Sequence, residues 1–159
     1  MAPLLDQAAP GLPATHQNLT SAIRAIGKIT ADGWYPRSAY PGSDRRWAVA
    51  CRLCGWEGLR FYSHLRRGLP KFRHPGCLSA ERRPEALAKV RSTLRSTCHC
   101  VLAHPVTPEE VRRTVRALEW AVRANEQRDV HLHLSMLVGA CPAAVERAAA
   151  WEEFFDLTA

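Results

Sequence analysis

The sequence predicts a mostly α-helical protein with a small β hairpin, in which a short module stands between an N-terminal helix and a C-terminal helical bundle. Apolar residues recur at helical spacing near the start of the chain and again in its last third. Residues 33–50 carry two prolines that exclude a long helix. Two pairs of Cys and His side chains follow, at spacings typical of metal ligands.

The predicted organisation has three parts. Residues 1–16 hold four Pro or Gly residues and few charges, which indicates a flexible tail. Residues 17–97 contain the N-terminal helix and the module, and residues 98–159 form the helical bundle. The start of the chain lacks the features of a signal peptide, and no run of 18 apolar residues is long enough to cross a membrane. Six Cys without an export signal indicate reduced thiols, so we expect a cytoplasmic protein.

The first helix is predicted over residues 18–32, where Asp32-Gly33 stops it. Its core-facing residues are Leu19, Ile23, Ile26 and Ile29 or Thr30. A second helix is predicted over residues 78–96, beginning at Ser79 or at the Arg83-Pro84 step. Its expected buried stripe is Leu87, Val90 or Arg91, and Leu94.

The C-terminal part opens on a strong helix start. Thr107 is the predicted N-cap, Pro108 takes the first helical position and Glu110 completes a capping box. The stripe of this helix is predicted as Val111, Val115, Leu118 and Val122.

Two further segments complete the bundle. Residues 130–138 alternate like a strand but also fit a short helix, which we favour because the neighbouring segments are helical. Pro142 is predicted to open a final helix that packs on the helix from residue 108. Its stripe is Val145, Ala148, Trp151 and Phe155.

The candidate metal ligands are two pairs separated by 19 residues. Cys51 and Cys54 form a C-x2-C pair, and His74 and Cys77 form an H-x2-C pair. Four such ligands are typical of a closed, tetrahedral structural zinc site, so Zn²⁺ is the expected cofactor. His64 is an alternative fourth ligand.

A second metal site is a further alternative. Its ligands would come from Cys98, Cys100 and His104, completed by Cys141, His131 or His133. The spacing is not that of a common zinc knuckle, so the sequence favours small buried thiols instead.

The order Tyr-Pro-Gly, Trp, C-x2-C-Gly and H-x2-C, over residues 30–80, resembles a treble-clef zinc-finger module. Such modules recur in actinobacterial proteins and in nuclease-associated proteins. The family usually has a second C-x2-C pair, and here His74 stands where its third cysteine would be. The resemblance implies association with DNA or RNA.

The positive charge is concentrated in the same region. Residues 44–83 hold ten basic and three acidic residues, a net charge of +7, which equals that of the whole chain. A localised basic face is typical of a protein that binds polyanions, although it is also compatible with a solvated surface. The predicted nucleic-acid-binding residues are Arg45, Arg46, Arg60, His64, Arg66, Arg67, Lys71 and Arg73.

Aromatic residues between these charges allow two interpretations. Trp56, Phe61 and Tyr62 are candidates for stacking on exposed bases. Alternatively, Trp47, Trp56 and Phe61 form the small core of the module itself.

These observations predict a zinc-dependent nucleic-acid-binding accessory or regulatory protein. The excess of Arg over Lys and the abundance of Ala indicate a high-GC genome, bacterial or phage. The alternative is an adaptor or inhibitor whose basic module binds an acidic protein, with the C-terminal helices as a protein-interaction or dimerisation unit. No common catalytic motif is present and a closed zinc site leaves no position for substrate, so we expect no enzymatic activity. A nuclease with degenerate motifs is the third alternative.

Overall fold

The computed structural model describes residues 16–67, 73–94, 104–139, 141 and 143–158. These residues form a mostly helical protein with a small three-stranded antiparallel sheet, as the sequence predicts in outline. Residues 1–15 of the predicted tail and the predicted boundary between residues 97 and 98 lie outside them. The elements are α1 (His16–Ala31), β1 (Trp34–Pro36), β2 (Arg46–Cys51), β3 (Glu57–Phe61), α2 (Tyr62–Leu65), α3 (Arg83–Leu94), α4 (Pro108–Arg123), α5 (Gln127–Leu137) and α6 (Ala144–Thr158).

Helix α1 connects the sheet to the other helices. Ile23, Ile26 and Ile29 are buried on one face, which packs against α6, α5 and β1. The helix stops where predicted, because Gly33 adopts a φ of 79°, a conformation that favours glycine.

The contact between α1 and α6 is unusually close at one point. A Cβ atom added to Gly27 would lie 2.2 Å from the Cβ atom of Ala148. The absence of a side chain at Gly27 therefore sets how near the two helices can approach.

The sheet has one strand more than the predicted hairpin. β2 pairs with β3 through Arg46↔Phe61 and Ala50↔Glu57, so the hairpin itself is confirmed. β1 pairs with the other edge of β2, with Trp34 opposite Cys51. Pro36 is compatible with β1 because this strand lies at the edge of the sheet and is bonded on one side only.

Two helices follow β3. The sequence of residues 62–68 predicts a helical turn, which is α2, and Gly68 lies outside the described residues. α3 begins at the Arg83-Pro84 step, not at Ser79. Of its predicted stripe, Leu87 is buried, whereas Arg91 is exposed and donates a hydrogen bond to the Ala31 carbonyl at 2.8 Å.

The capping box of α4 is present as predicted. The Thr107 hydroxyl accepts from the Glu110 backbone N–H, and the Glu110 carboxylate accepts from the backbone N–H groups of Val106 and Thr107. These backbone hydrogen bonds, first that from Val106, lower the pKa of Glu110.

The predicted stripe of α4 is wrong at its last position. Val111, Val115 and Leu118 are buried, but Ala121 takes the next core position and Val122 is 49% exposed. The last step of the stripe is therefore three residues, where the prediction had four; the period of 3.6 residues per turn allows either step.

Residues 127–137 form helix α5, so the helical interpretation of the alternating segment is confirmed and the strand is not. Val130, Leu134 and Leu137 lie on its buried face at spacings of four and three. The apparent alternation arises because His131 and His133 fall between apolar positions.

The final helix, α6, packs on α1 as well as on α4. Trp151 is fully buried, as expected, but Val145 is exposed, which contradicts its place in the predicted stripe. Pro142 and the side chain of Phe155 lie outside the described residues.

Candidate metal centre

The first ligand pair is positioned by a tight turn at the end of β2. Cys51 is the last residue of the strand, and its carbonyl accepts from the Gly55 backbone N–H at 2.7 Å. The Cys51 N–H donates to the Trp56 carbonyl at 2.7 Å. Gly55 has a φ of 83°, so it supplies the left-handed conformation that this turn requires.

The second pair lies on another turn that follows residues 68–72. The Cys77 N–H donates to the His74 carbonyl at 3.3 Å, and Gly76 has a φ of 75°. Both turns present their ligands towards the same point.

The four predicted ligands Cys51, Cys54, His74 and Cys77 meet there. One ligand atom from each residue lies within 4.8 Å of the corresponding atom of every other. Tetrahedral zinc with Zn–S bonds of about 2.3 Å separates its sulfur ligands by roughly 3.8 Å, so this group can hold a metal ion. His64 is exposed on α2 and does not belong to the group, which leaves His74 as the histidine of the cluster.

The imidazole of His74 is held on three sides. Its Nδ1 lies 2.8 Å from the Pro75 carbonyl, which orients Nε2 towards Cys54 Sγ at 3.2 Å. Its ring stacks on Trp56 with centroids 4.4 Å apart and planes 14° apart, and Trp34 approaches edge-on. A ring nitrogen that donates to a carbonyl while the other faces the ion is the usual arrangement of a metal-binding histidine.

Arg73 occupies a place that the sequence did not predict. It is 4% exposed, and its guanidinium donates to Cys51 Sγ at 3.2 Å and to the carbonyls of Asp32 and Gly33 at 2.8 and 2.9 Å. It also lies over the Trp34 ring at 3.9 Å. Arg73 is therefore not exposed with the other predicted nucleic-acid-binding residues, because each of its three guanidinium nitrogens donates a hydrogen bond inside the protein.

The pKa values of the Cys51 and Cys54 thiols are shifted in opposite directions. Burial raises the pKa of Cys51, but the hydrogen bond and charge of Arg73 outweigh it, so the pKa lies below its ordinary value. Burial, with the neighbouring thiols, raises the pKa of Cys54 to about 11. Burial lowers the pKa of His74, which keeps the imidazole in its neutral, ligating form. A divalent cation supplies the positive charge that several adjacent thiolates need.

Five of the predicted nucleic-acid-binding residues lie elsewhere on the module. We call Arg45, Arg46, His64, Arg66 and Arg67 the basic end. All five side chains are exposed, at the start of β2 and just after β3. Because Arg46 pairs with Phe61, these two chain segments are adjacent. Cys51 is at the opposite end of β2, about 17 Å away at 3.4 Å per residue, so the metal ligands do not contact the basic end.

Arg73 is buried beside Cys51, and two further predicted residues are also left out of the basic end. Arg60 is half-buried, with its guanidinium 5.4 Å from the centre of the Trp56 ring. Lys71 lies outside the described residues.

Trp47 and Trp56 pack against other side chains of the module. Trp47 is fully buried, its Nε1 donates to the Ser38 carbonyl at 2.9 Å, and it contacts Tyr40 and Tyr62 edge-on. Trp56 stacks on His74. The core interpretation is therefore confirmed for Trp47, whereas Trp56 is half-buried with its ring stacked on His74.

No protein-family model matches the chain, and neither the curated proteins nor the solved structures include a match. The helices of the described residues include none with the length and hydrophobicity of a membrane-spanning segment.

Proposed function

We propose that this protein is a zinc-dependent nucleic-acid-binding accessory or regulatory factor of a bacterium or phage, without enzymatic activity. The observation that carries the proposal is the basic end, where four arginines and one histidine are exposed on two adjacent segments. Arginine side chains pair with phosphate oxygens and supply most of the affinity of non-specific binding.

The packing below the basic end supports a defined surface. Tyr40, Trp47 and Tyr62 form an aromatic cluster with ring centroids 5.0 to 6.3 Å apart. Burial raises the pKa of Tyr40 and of Tyr62, and the positive charge of the nearby Arg66 opposes that rise. The backbone that carries the arginines is therefore fixed by buried rings.

The proposed role of zinc is structural. Four protein ligands close the coordination shell, so no position remains for a substrate. We assign the module to the treble-clef type on its ligand pairs, its hairpin and the following helix. The ion would join the end of the hairpin that carries the metal ligands to the segment from Arg73 to Cys77. Because β2 and β3 run from this end to the basic end, the ion would also stabilise the backbone of the basic end.

The direct test is fluorescence anisotropy with labelled duplex and single-stranded DNA and RNA over a range of salt concentrations. We expect binding whose logarithm falls linearly with the logarithm of salt concentration. Alanine at all four arginines of the basic end should reduce that slope by up to about 0.9 for each duplex DNA phosphate that the variant no longer neutralises.

A matched control separates position from net charge. The control variant replaces four exposed arginines of α4 and α5 with alanine: Arg112, Arg113, Arg116 and Arg128. Both variants lose four positive charges, so a difference in their affinity for nucleic acid must come from the position of the arginines. Equal loss of binding in the two variants, or no binding by the native protein, would contradict the proposal.

A second candidate function is an adaptor or inhibitor that binds a protein through its helices. Trp120 on α4 is 74% exposed and Leu132 on α5 is 55% exposed, and large apolar side chains on a surface favour protein contacts. An acidic partner on the basic end is the related alternative. Heparin should displace nucleic acid from the basic end but leave a complex that depends on Trp120. Sedimentation velocity of the native protein and of Trp120→Ala tests self-association through Trp120.

A further inference from the structure

The three-stranded sheet has one buried face and one open face. On β2, Trp47, Val49 and Cys51 are buried, whereas Ala48 and Ala50 between them are half-buried. Successive side chains of a strand point to opposite sides of a sheet. The two alanines therefore lie on the side that faces away from the core of the module.

The pairing of the strands shows which residues share this side. Side chains of directly opposed residues lie on the same face of an antiparallel pair. The open face consists of three rows: Tyr35, Ala50 and Glu57 in the first, Ala48 and Leu59 in the second, and Arg46 and Phe61 in the third. Leu59 is 55% exposed, and Tyr35 and Phe61 are half-buried, so no described element packs over this face.

Flat groups lie at the two ends of the open face. Phe61 is in the row nearest the basic end, where its ring meets the ring of His64 edge-on at 5.7 Å. Tyr35 is in the row at the other end, and the guanidinium of Arg52 lies over its ring at 4.7 Å. At about 3.4 Å per residue and about 4.8 Å per strand, Phe61 and Tyr35 are roughly 17 Å apart. Unpaired bases stack on aromatic rings and on guanidinium planes, so both ends can receive a base.

The charge around the open face is positive. Arg46 begins β2 and Arg52 follows its end, and both side chains are exposed. The carboxylate of Glu57 lies 3.5 Å from the guanidinium of Arg37, so the negative charge on this face is compensated. A neutral partner would have to cover the arginines without a counter-charge, which is costly. The surface therefore favours an occupant that carries both flat rings and negative charge.

We propose that the open face binds single-stranded nucleic acid. Bases stack on Phe61 and on Tyr35 with Arg52, and the basic end holds phosphates of the same strand. Leu59 and the two alanines give apolar contact to the bases between these ends. The inference rests on the nucleic-acid-binding function proposed above and names its preferred substrate. In a duplex the bases are paired and stacked on one another, so a duplex offers phosphates to the basic end but no base to Phe61.

The test is fluorescence anisotropy of the full-length, zinc-loaded protein with a labelled oligothymidylate of about 12 nucleotides. Phe61→Leu keeps an apolar side chain but removes the ring, so the Kd should rise about 5–100-fold, the loss expected for one stacked base. Phe61→Tyr keeps a ring and should bind like the native protein. Tyr35→Leu and Tyr35→Phe form a second matched pair with the same expected difference. Stacking releases no phosphate counterions, so all these proteins should show the same salt dependence of the Kd.

Two further ligands separate this inference from the proposed function. A duplex of oligothymidylate with oligoadenylate and an abasic strand of equal length both keep phosphates but offer no unpaired base. Phe61→Leu should bind each of them as the native protein does, whereas alanine at the four arginines of the basic end should weaken binding of every ligand. Native protein that binds the duplex or the abasic strand as tightly as oligothymidylate would overturn the inference and leave the proposed function intact. Native protein that binds none of the ligands would overturn both.

A last measurement distinguishes stacking from a structural role of Phe61. None of the residues of the open face is tryptophan, so Phe61→Trp places a fluorescent ring there. Saturating oligothymidylate should quench the fluorescence of this variant more than that of the native protein, and the abasic strand should not. Equal zinc content in all variants is the folding control. Equal quenching in Phe61→Trp and the native protein, or a Phe61→Leu variant that loses affinity for the abasic strand as well, would overturn the inference.

Discussion

Replacement of Arg73 by alanine tests whether this side chain belongs to the metal centre. In the structure its guanidinium donates to Cys51 Sγ and to the carbonyls of Asp32 and Gly33, and it covers the Trp34 ring. The substitution leaves two carbonyls and a sulfur without their charged donor in a buried position. It also removes the hydrogen bonds that connect the end of α1 to the segment of the second ligand pair.

The expected cost follows from the hydrogen bonds. A hydrogen bond from a charged donor contributes about 1.5–3 kcal/mol, and the effects of neighbouring bonds overlap rather than add. We therefore expect Arg73→Ala to lower the unfolding free energy by about 3–5 kcal/mol. Loss of the donor to Cys51 should also weaken zinc binding by about 10–100-fold, the usual effect of removing a group that supports a ligand.

The assay is urea unfolding of the zinc-loaded protein together with competition for zinc against a chromophoric chelator. Arg67→Ala is the matched control, because Arg67 is exposed and should change the unfolding free energy by less than about 0.5 kcal/mol. Arg73→Lys should recover only part of the loss, since an ammonium group does not reproduce the forked guanidinium. If Arg73→Ala matched Arg67→Ala in both measurements, the assignment of Arg73 to the metal centre would be refuted.

Four further predictions concern other parts of the structure. Cys54→Ser should release one zinc ion and increase hydrogen exchange in β2 and β3; unchanged zinc content would contradict the ligand assignment. Gly27→Ala should lower the unfolding free energy by about 1–3 kcal/mol although alanine favours helices, because its Cβ meets that of Ala148, and adding Ala148→Gly should recover part of the loss. Thr107→Ala should cost about 1 kcal/mol in thermal or urea unfolding through loss of the N-cap. The folded-state pKa of Glu110 is lowered, so its contribution to the unfolding free energy is present above the unfolded pKa and is lost as pH falls through the folded pKa. The difference in unfolding free energy between the native protein and Glu110→Gln should therefore shrink in acid.

Local sequence patterns were sufficient for the elements whose cause is local. The capping box at Thr107 and the glycine that ends α1 depend only on residues a few positions apart, and the structure has both. The metal cluster was predictable for a similar reason. Cys51 and Cys54, like His74 and Cys77, lie on single turns, and the chemistry of zinc requires the two pairs to meet.

The misassigned helix positions show where periodicity is insufficient. Val122 and Val145 fit an apolar stripe by spacing, yet both are exposed in the structure. Which part of a helix end reaches the core depends on the position of the neighbouring helix, and a single amphipathic pattern does not contain that information.

The sequence by itself determined the ligand types, the start of α4 and the location of the positive charge along the chain, because each depends on residue chemistry or on short-range backbone geometry. Only the tertiary structure decided that Arg73 turns inward to Cys51 while Arg66 and Arg67 remain at the surface. The physical reason is that an arginine is stable in the interior only where distant parts of the chain supply its acceptors. For Arg73 these are the carbonyls of Asp32 and Gly33, which are 41 and 40 positions away in the chain.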